Sequence, residues 1–127
     1  MRQVLVAEDD SDTRRVLVLI LSEAGYSVST AADVFTALAK TRTSRPDLVL
    51  LDYGLPAPRH GEEYLRSKAA DPQIAPIPVV IMSGYTLPAA IDGAVMVIEK
   101  PFGINTLLGI VSQIVPLPRT VNGGAVA

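Results

Sequence analysis

LVLLDYGLP, residues 48–56, opens with four apolar residues that read as a buried strand, ends that strand on Asp52, and then turns away through Gly54 and Pro56. A hydrophobic strand with a carboxylate at its tip poses a question that the rest of the chain answers. Further short apolar runs lie at about 3–7, 27–31, 78–82 and 95–98, and with the run at 47–51 they read as five strands. The stretches between them read as helices. Ser11 and Asp12 can cap the first, Val16, Leu17, Ile20, Leu21 and Ala24 recur at helical spacing, and Gly25 ends it. Asp33 caps a second to about residue 43, residues 61–70 form a third, and residues 105–115 a last one rich in Leu, Ile and Val. Strand and helix in alternation predict an α/β fold, a parallel sheet covered on both faces by right-handed crossovers.

In such sheets chemistry sits at the carboxyl ends of the strands. Here Glu8, Asp9 and Asp10 follow the first strand, Asp52 the third, Ser83 and Gly84 the fourth, and Glu99, Lys100 and Pro101 the fifth. The second ends on Asp33, merely a helix cap. Reactive side chains thus gather along one edge.

Composition narrows what that edge can do. The chain has 127 residues, 49% of them hydrophobic, enough for one domain with a continuous core. We expect the domain to span 1–116 and a disordered tail to occupy 117–127. Eleven basic residues against 13 acids, with no basic run and few aromatics, argue against nucleic-acid binding. The longest apolar run, VLVLIL at 16–21, is far short of the roughly 20 residues needed to cross a bilayer. Acids follow the first apolar run too closely for a secretory signal. Cysteine is absent, which removes disulfides and thiolate chemistry and suits a cytoplasmic protein.

Two or three carboxylates with a backbone oxygen make a hard-oxygen site suited to Mg2+, and a lysine and a hydroxyl opposite can grip phosphoryl oxygens. A carboxylate can itself attack phosphorus to give an aspartyl phosphate. On that reading the apolar strand anchors Asp52 while its tip faces metal and solvent, and Gly54 lets the backbone turn so that its carbonyl approaches the ion.

Over residues 3 to about 115 the sequence resembles the response-regulator receiver domain of two-component signalling. VLVAEDD resembles its acidic first-strand end, LVLLDYGLP its phosphoacceptor strand, PVVIMSGY its hydroxyl strand and VIEKPF its lysine-proline loop. Each motif is weak alone, and the four in this order are specific. The resemblance implies that Asp52 accepts the phosphoryl group. It implies that Asp9, Asp52 and the Gly54 carbonyl bind Mg2+ directly, that Glu8 acts through water, and that Ser83 and Lys100 hold the phosphoryl group. It also implies a histidine kinase or histidine phosphotransfer protein as donor, a cis bond before Pro101, and a flavodoxin-like doubly wound five-stranded sheet of order 2-1-3-4-5.

Three departures stand out. The aromatic switch position three residues before the lysine is Val97. The span from Ser83 to Lys100 is short, leaving at most one turn near LPAAI for the fourth helix, so that this helix is shortened or absent. The loop PAPRHG is one residue longer than usual. SGY followed closely by EKPF resembles a short-helix subgroup found as single-domain regulators and as receiver parts of hybrid kinases. Without the aromatic, output is expected to run through residues 84–94, drawn by Ser83, with Tyr85 swinging over the site. Val18 and Leu19, off the apolar face of the first helix, are expected to form an exposed pair for a helical partner. His60, the sole histidine, falls in a Pro/Gly-rich loop and is given no role.

Other readings compete. EDDSD alone suits acids at a helix N-terminus, and Asp52 alone suits a turn. A receiver-like binding module that is never phosphorylated would use the same fold, but would not need Glu8, Asp9, Asp52, Ser83 and Lys100 together. An aspartate-nucleophile phosphatase would want a second Asp two residues after the first, where Gly54 stands, and a substrate pocket that nothing in the chain builds. The sequence names neither the kinase nor the downstream protein target.

Overall fold

The structure, a computed structural model, describes residues 2–55, 60–88, 90–118, 120–121 and 125–126. Five strands, β1 (Gln3–Ala7), β2 (Ser27–Ala31), β3 (Leu48–Asp52), β4 (Val79–Ser83) and β5 (Met96–Glu99), form one parallel sheet in the order β2-β1-β3-β4-β5. Between and after them run α1 (Ser11–Glu23), α2 (Val34–Ser44), α3 (His60–Ala69) and α4 (Ile104–Ile114). This is the flavodoxin-like fold expected. None of the described helices is long and apolar enough to cross a membrane.

Successive residues of a strand point to opposite faces, so a strand covered on both sides is apolar throughout. Val4, Val6, Leu48, Leu50, Val80 and Met82 pack on one face under α1 and α4 through Leu17, Leu21, Leu107 and Val111. Leu5, Ala7, Val49, Leu51, Val79 and Ile81 pack on the other, under Ala37 of α2 and Tyr64 and Leu65 of α3. The buried Tyr64 hydroxyl hydrogen-bonds Thr41 at 2.8 Å, tying α3 to α2. At the sheet's far end the buried Tyr26 hydroxyl donates to the Val115 carbonyl at 2.8 Å, fastening the end of α4.

As the short span demands, no helix lies among the described residues between β4 and β5. A turn closed by the Ala94 N–H on the Ile91 carbonyl (3.0 Å) takes its place, with Gly93 at φ +91°, a conformation that only glycine adopts without strain.

Several expectations need correction. The α1 cap is Asp10, whose carboxylate accepts from the Thr13 N–H at 2.8 Å, with Ser11 already inside the helix. Val18 is half-buried and Val16 is 54% exposed, so the apolar residues α1 shows to solvent are Val16 and Leu19 rather than Val18 and Leu19. The face toward the sheet is narrower than the apolar stripe of the sequence. His60 belongs to the first turn of α3, and the rest of the PAPRHG insertion up to Arg59 lies outside the described residues. Apart from these corrections, Leu117 packs on the core, and Thr120–Val121 pairs antiparallel with Ala125–Val126.

Candidate functional site

β1 and β3 adjoin at the centre of the sheet, with Ala7 opposite Leu51, so Glu8 and Asp52 leave the ladder side by side. Asp52 is the last residue of its strand, paired with Met82, and the Glu8 N–H still reaches the Ala31 carbonyl of β2 at 2.9 Å. Both are buried, whereas Asp9 is exposed. One carboxylate oxygen from each of Glu8, Asp9 and Asp52 lies within 4.8 Å of the others.

Lys100 closes the cluster. Its Nζ lies 2.7 Å from Glu8 Oε1 and 3.5 Å from Asp52 Oδ2. Burial pushes the Glu8 carboxyl up to about 7, helped by the neighbouring Asp52 and opposed by Lys100 and the Asp10 N–H. Burial pulls the Lys100 ammonium down, but its attraction to Glu8 and Asp52 outweighs that and leaves it above its usual value. Acids crowded this closely, all offering oxygen, fit a hard divalent cation that would neutralise them.

Ser83, buried at the tip of β4, stands opposite Glu99, and its carbonyl accepts the Lys100 N–H at 2.6 Å. Register alone therefore brings hydroxyl and lysine to the edge. The Ser83 hydroxyl is turned into its own loop: it accepts the Tyr85 N–H and donates to the Tyr85 carbonyl, each at 3.0 Å. Tyr85 is 75% exposed. Val97 packs half-buried on the second core face. The bond between Lys100 and Pro101 is cis.

Gly54 donates its N–H to Asp52 Oδ1 at 2.9 Å, and the Leu55 N–H reaches the Asp52 carbonyl at 3.3 Å. Positive φ is not what makes this turn, since among the described residues only Gly25, Gly93 and Arg45 have it. Close approach explains Gly61 instead. A Cβ there would lie 2.7 Å from Tyr53 Cδ1 and 3.0 Å from Tyr53 Cα, and the Gly61 N–H donates to the Tyr53 carbonyl at 3.1 Å. Gly61 thus lets α3 lock the backbone directly after Asp52.

Sequence reasoning missed Gly61, along with Arg14, whose Nη1 holds the carbonyls of Glu8 and Asp9, and Thr86, whose hydroxyl donates to Glu99 Oε1 at 2.8 Å. A glycine at the mouth of a helix is a faint signal for the first; the others carry no pattern. Val18 and Leu19 lie outside the acid cluster, on α1. Beside the site, Val16, Leu17, Ile20, Phe102, Ile104 and Leu107 line an apolar groove of about 620 Å³ between α1 and α4.

A doubly wound sheet whose switch-point edge carries three acids and a lysine places the chain in the flavodoxin-like class. Within that class it belongs to the response regulator receiver domain family, whose model matches residues 4–112. It is 31% identical over 112 residues to protein Rrf1 of Nitratidesulfovibrio vulgaris, covering 87% of this chain and 80% of that one. It is 36% identical over 112 residues to the KDP operon transcriptional regulatory protein KdpE of Escherichia coli, covering 84% of this chain but 48% of the relative. The structure of the chemotaxis response regulator CheY4 of Vibrio cholerae superposes with a TM-score of 0.81 at 29% identity, covering 91% of this chain and 99% of that one.

Receiver domains are signalling modules of two-component systems. They act with a phosphodonor kinase or phosphotransfer partner and typically bind Mg2+ at an acidic pocket, the position that Glu8, Asp9 and Asp52 occupy here. Longer relatives, such as a protein-glutamate methylesterase of Anaeromyxobacter dehalogenans, are matched over only 29% of their length, by the receiver portion.

Proposed function

We propose that the chain takes a phosphoryl group onto Asp52 from a histidine kinase or histidine phosphotransfer protein, with Mg2+, and signals by a change of conformation. The observation that carries this reading is the convergence of Glu8, Asp9 and Asp52 at one strand edge with Lys100 Nζ 3.5 Å from Asp52. An Asp52 oxygen attacks the phosphorus of a phosphohistidine. The P–N bond breaks, and its electron pair leaves with the imidazole nitrogen, which takes up a proton. A bound Mg2+, held by Asp9, Asp52 and the Gly54 carbonyl and through water by Glu8, would supply charge neutralisation to the transferring group. Lys100 binds a phosphoryl oxygen from the opposite side. Turnover is confined to the chain's own phosphorylation and hydrolysis, in a receiver unit of residues 1–116 that we read as cytoplasmic.

To donate to the phosphoryl group, the Ser83 hydroxyl leaves Tyr85, whose N–H and carbonyl then lose their partner. That release couples phosphorylation to residues 84–94 in place of an aromatic at Val97. For the phosphodonor, the groove between α1 and α4 is the docking face, lined by Val16 and Ile104, which are 54% and 56% exposed.

Incubation with acetyl phosphate and Mg2+, followed by peptide mass spectrometry, should place one phosphate on Asp52 and none in Asp52→Asn. Phosphate at another residue, or undiminished labelling of the variant, refutes the reading. Val16→Asp, at an exposed position of the groove wall, should slow transfer from a cognate kinase and spare acetyl phosphate; equal slowing of both rejects the docking face. Beryllium fluoride with Mg2+ should alter hydrogen exchange at residues 84–94, and a change confined to other segments rejects that route.

A further inference from the structure

Arg14 sits in the first turns of α1, half-buried, and its side chain runs back past the start of the helix. Nη1 donates to the main-chain carbonyl of Glu8 at 2.8 Å and to that of Asp9 at 3.3 Å. Among the described residues the guanidinium forms no salt bridge; the ion pairs of the acid cluster are those of Lys100. It therefore grips the backbone that carries two of the three acids, and leaves their carboxylates clear.

Two successive carbonyls held by one rigid, planar group fix the peptide between them. That peptide sets the directions in which the Glu8 and Asp9 side chains leave the chain. It needs such a restraint, because Asp9 lies beyond the β1 ladder and before the α1 cap at Asp10. We infer that Arg14 is a positioning residue for the divalent-cation site, holding Glu8 and Asp9 so that their carboxylates meet that of Asp52. The inference rests on the Mg2+ reading above.

Charge and geometry make opposite demands, which gives the test its sign. As a mere positive charge near the acids, Arg14 would repel a cation, and its removal would tighten Mg2+ binding. As a positioning group, its removal loosens the ligands and weakens binding. A role confined to α1 would lower thermal stability and leave Mg2+ affinity alone.

The experiment is a Mg2+ titration of the full chain, read by calorimetry and by NMR shifts of the Asp9, Asp10 and Tyr53 amides, for wild type, Arg14→Ala and Arg14→Lys. Arg14→Ala should raise the Mg2+ Kd about tenfold or more, in the range found for groups that orient metal ligands. Arg14→Lys keeps the charge and can still donate but lacks the rigid planar guanidinium, so its Kd should fall between the two. The rate of phosphorylation by acetyl phosphate should fall at low Mg2+ and recover in both variants at saturating Mg2+. An unchanged or tighter Kd in Arg14→Ala, or a rate defect that persists at saturation, overturns the proposal. If Arg14→Ala does not fold, Arg14→Lys decides by the same two readouts. A wild-type chain that binds no Mg2+ would overturn the cation reading itself, whereas wild-type binding with unaltered variants overturns the role of Arg14 alone.

Discussion

Asp52 and Ser83 end adjacent strands, yet the strands that carry the acids and the crossover that follows Ser83 are built differently. β1 and β3 lie inside the sheet with strands on both sides, and Val4–Ala7 and Leu48–Leu51 have no exposed surface. The crossover from Ser83 to β5 has no helix among its described residues, and Tyr85 and Val95 are 75% and 59% exposed. It touches the core through Leu87, Ile91 and Ala94, and it is tied by the Thr86 hydroxyl on Glu99 and by the Val95 N–H on the Val79 carbonyl. Even so, Ser83 and Lys100 come to the same edge of the sheet, because the register of β4 and β5 and the Lys100 N–H on the Ser83 carbonyl place them there. On the proposed reading, the chemistry depends on strand ends and the crossover can change shape at little cost to the site.

That contrast can be broken by mutation. Leu51→Ala, next to Asp52 and fully buried, should cost about 2–5 kcal/mol in urea unfolding. Next in size comes the pH dependence of Tyr64. Burial pushes its hydroxyl up to about 12, above the value near 10 of an unfolded tyrosine. The folded chain then keeps a proton that the unfolded chain releases. About 2–3 kcal/mol of stability, fully present below pH 10, should therefore be lost as pH rises through 12. Urea midpoints measured on either side of that window check this, and Tyr64→Phe should flatten the decline. Gly61→Ala should cost about 1–3 kcal/mol by forcing α3 away from Tyr53. It should also slow acetyl-phosphate labelling of Asp52, since the displaced backbone adjoins it. At the small end, Leu87→Ala in the crossover should cost about 1 kcal/mol, with labelling of Asp52 unchanged. A Leu87 effect equal to that of Leu51 would erase the distinction between the two regions.

Most of the fold was legible because burial writes itself into apolar runs and helical spacing. Those runs mark burial, not pairing, and this explains the shift of one residue in three strands. Asp52 and Ser83 are polar at the side chain yet paired at the backbone, so β3 and β4 each run one residue past the apolar stretch, and Glu99 extends β5 likewise. Helical spacing located α1 but did not say which arc meets the sheet, hence the exchange of Val16 for Val18. The acids, the lysine and the serine were readable from their place at strand ends. Arg14 and Gly61 were not. One acts on carbonyls, which every residue possesses, and the other by lacking an atom where a neighbouring backbone passes.

The hydrogen bond from Tyr26 to Val115 makes α4 unequal at its two ends. The far end is pinned by a buried hydroxyl, while the near end starts at Gly103, which offers no side-chain cap, a few residues from Lys100. A rod of about 16 Å held in this way is fastened by a buried polar bond at the bottom of the sheet and, at the edge that carries Lys100, by packing of Phe102 and Leu107 on the core. A displacement of the lysine-proline loop is therefore expected to tilt the rod more than slide it, with the widest sweep at the groove against α1 and the smallest at Val115.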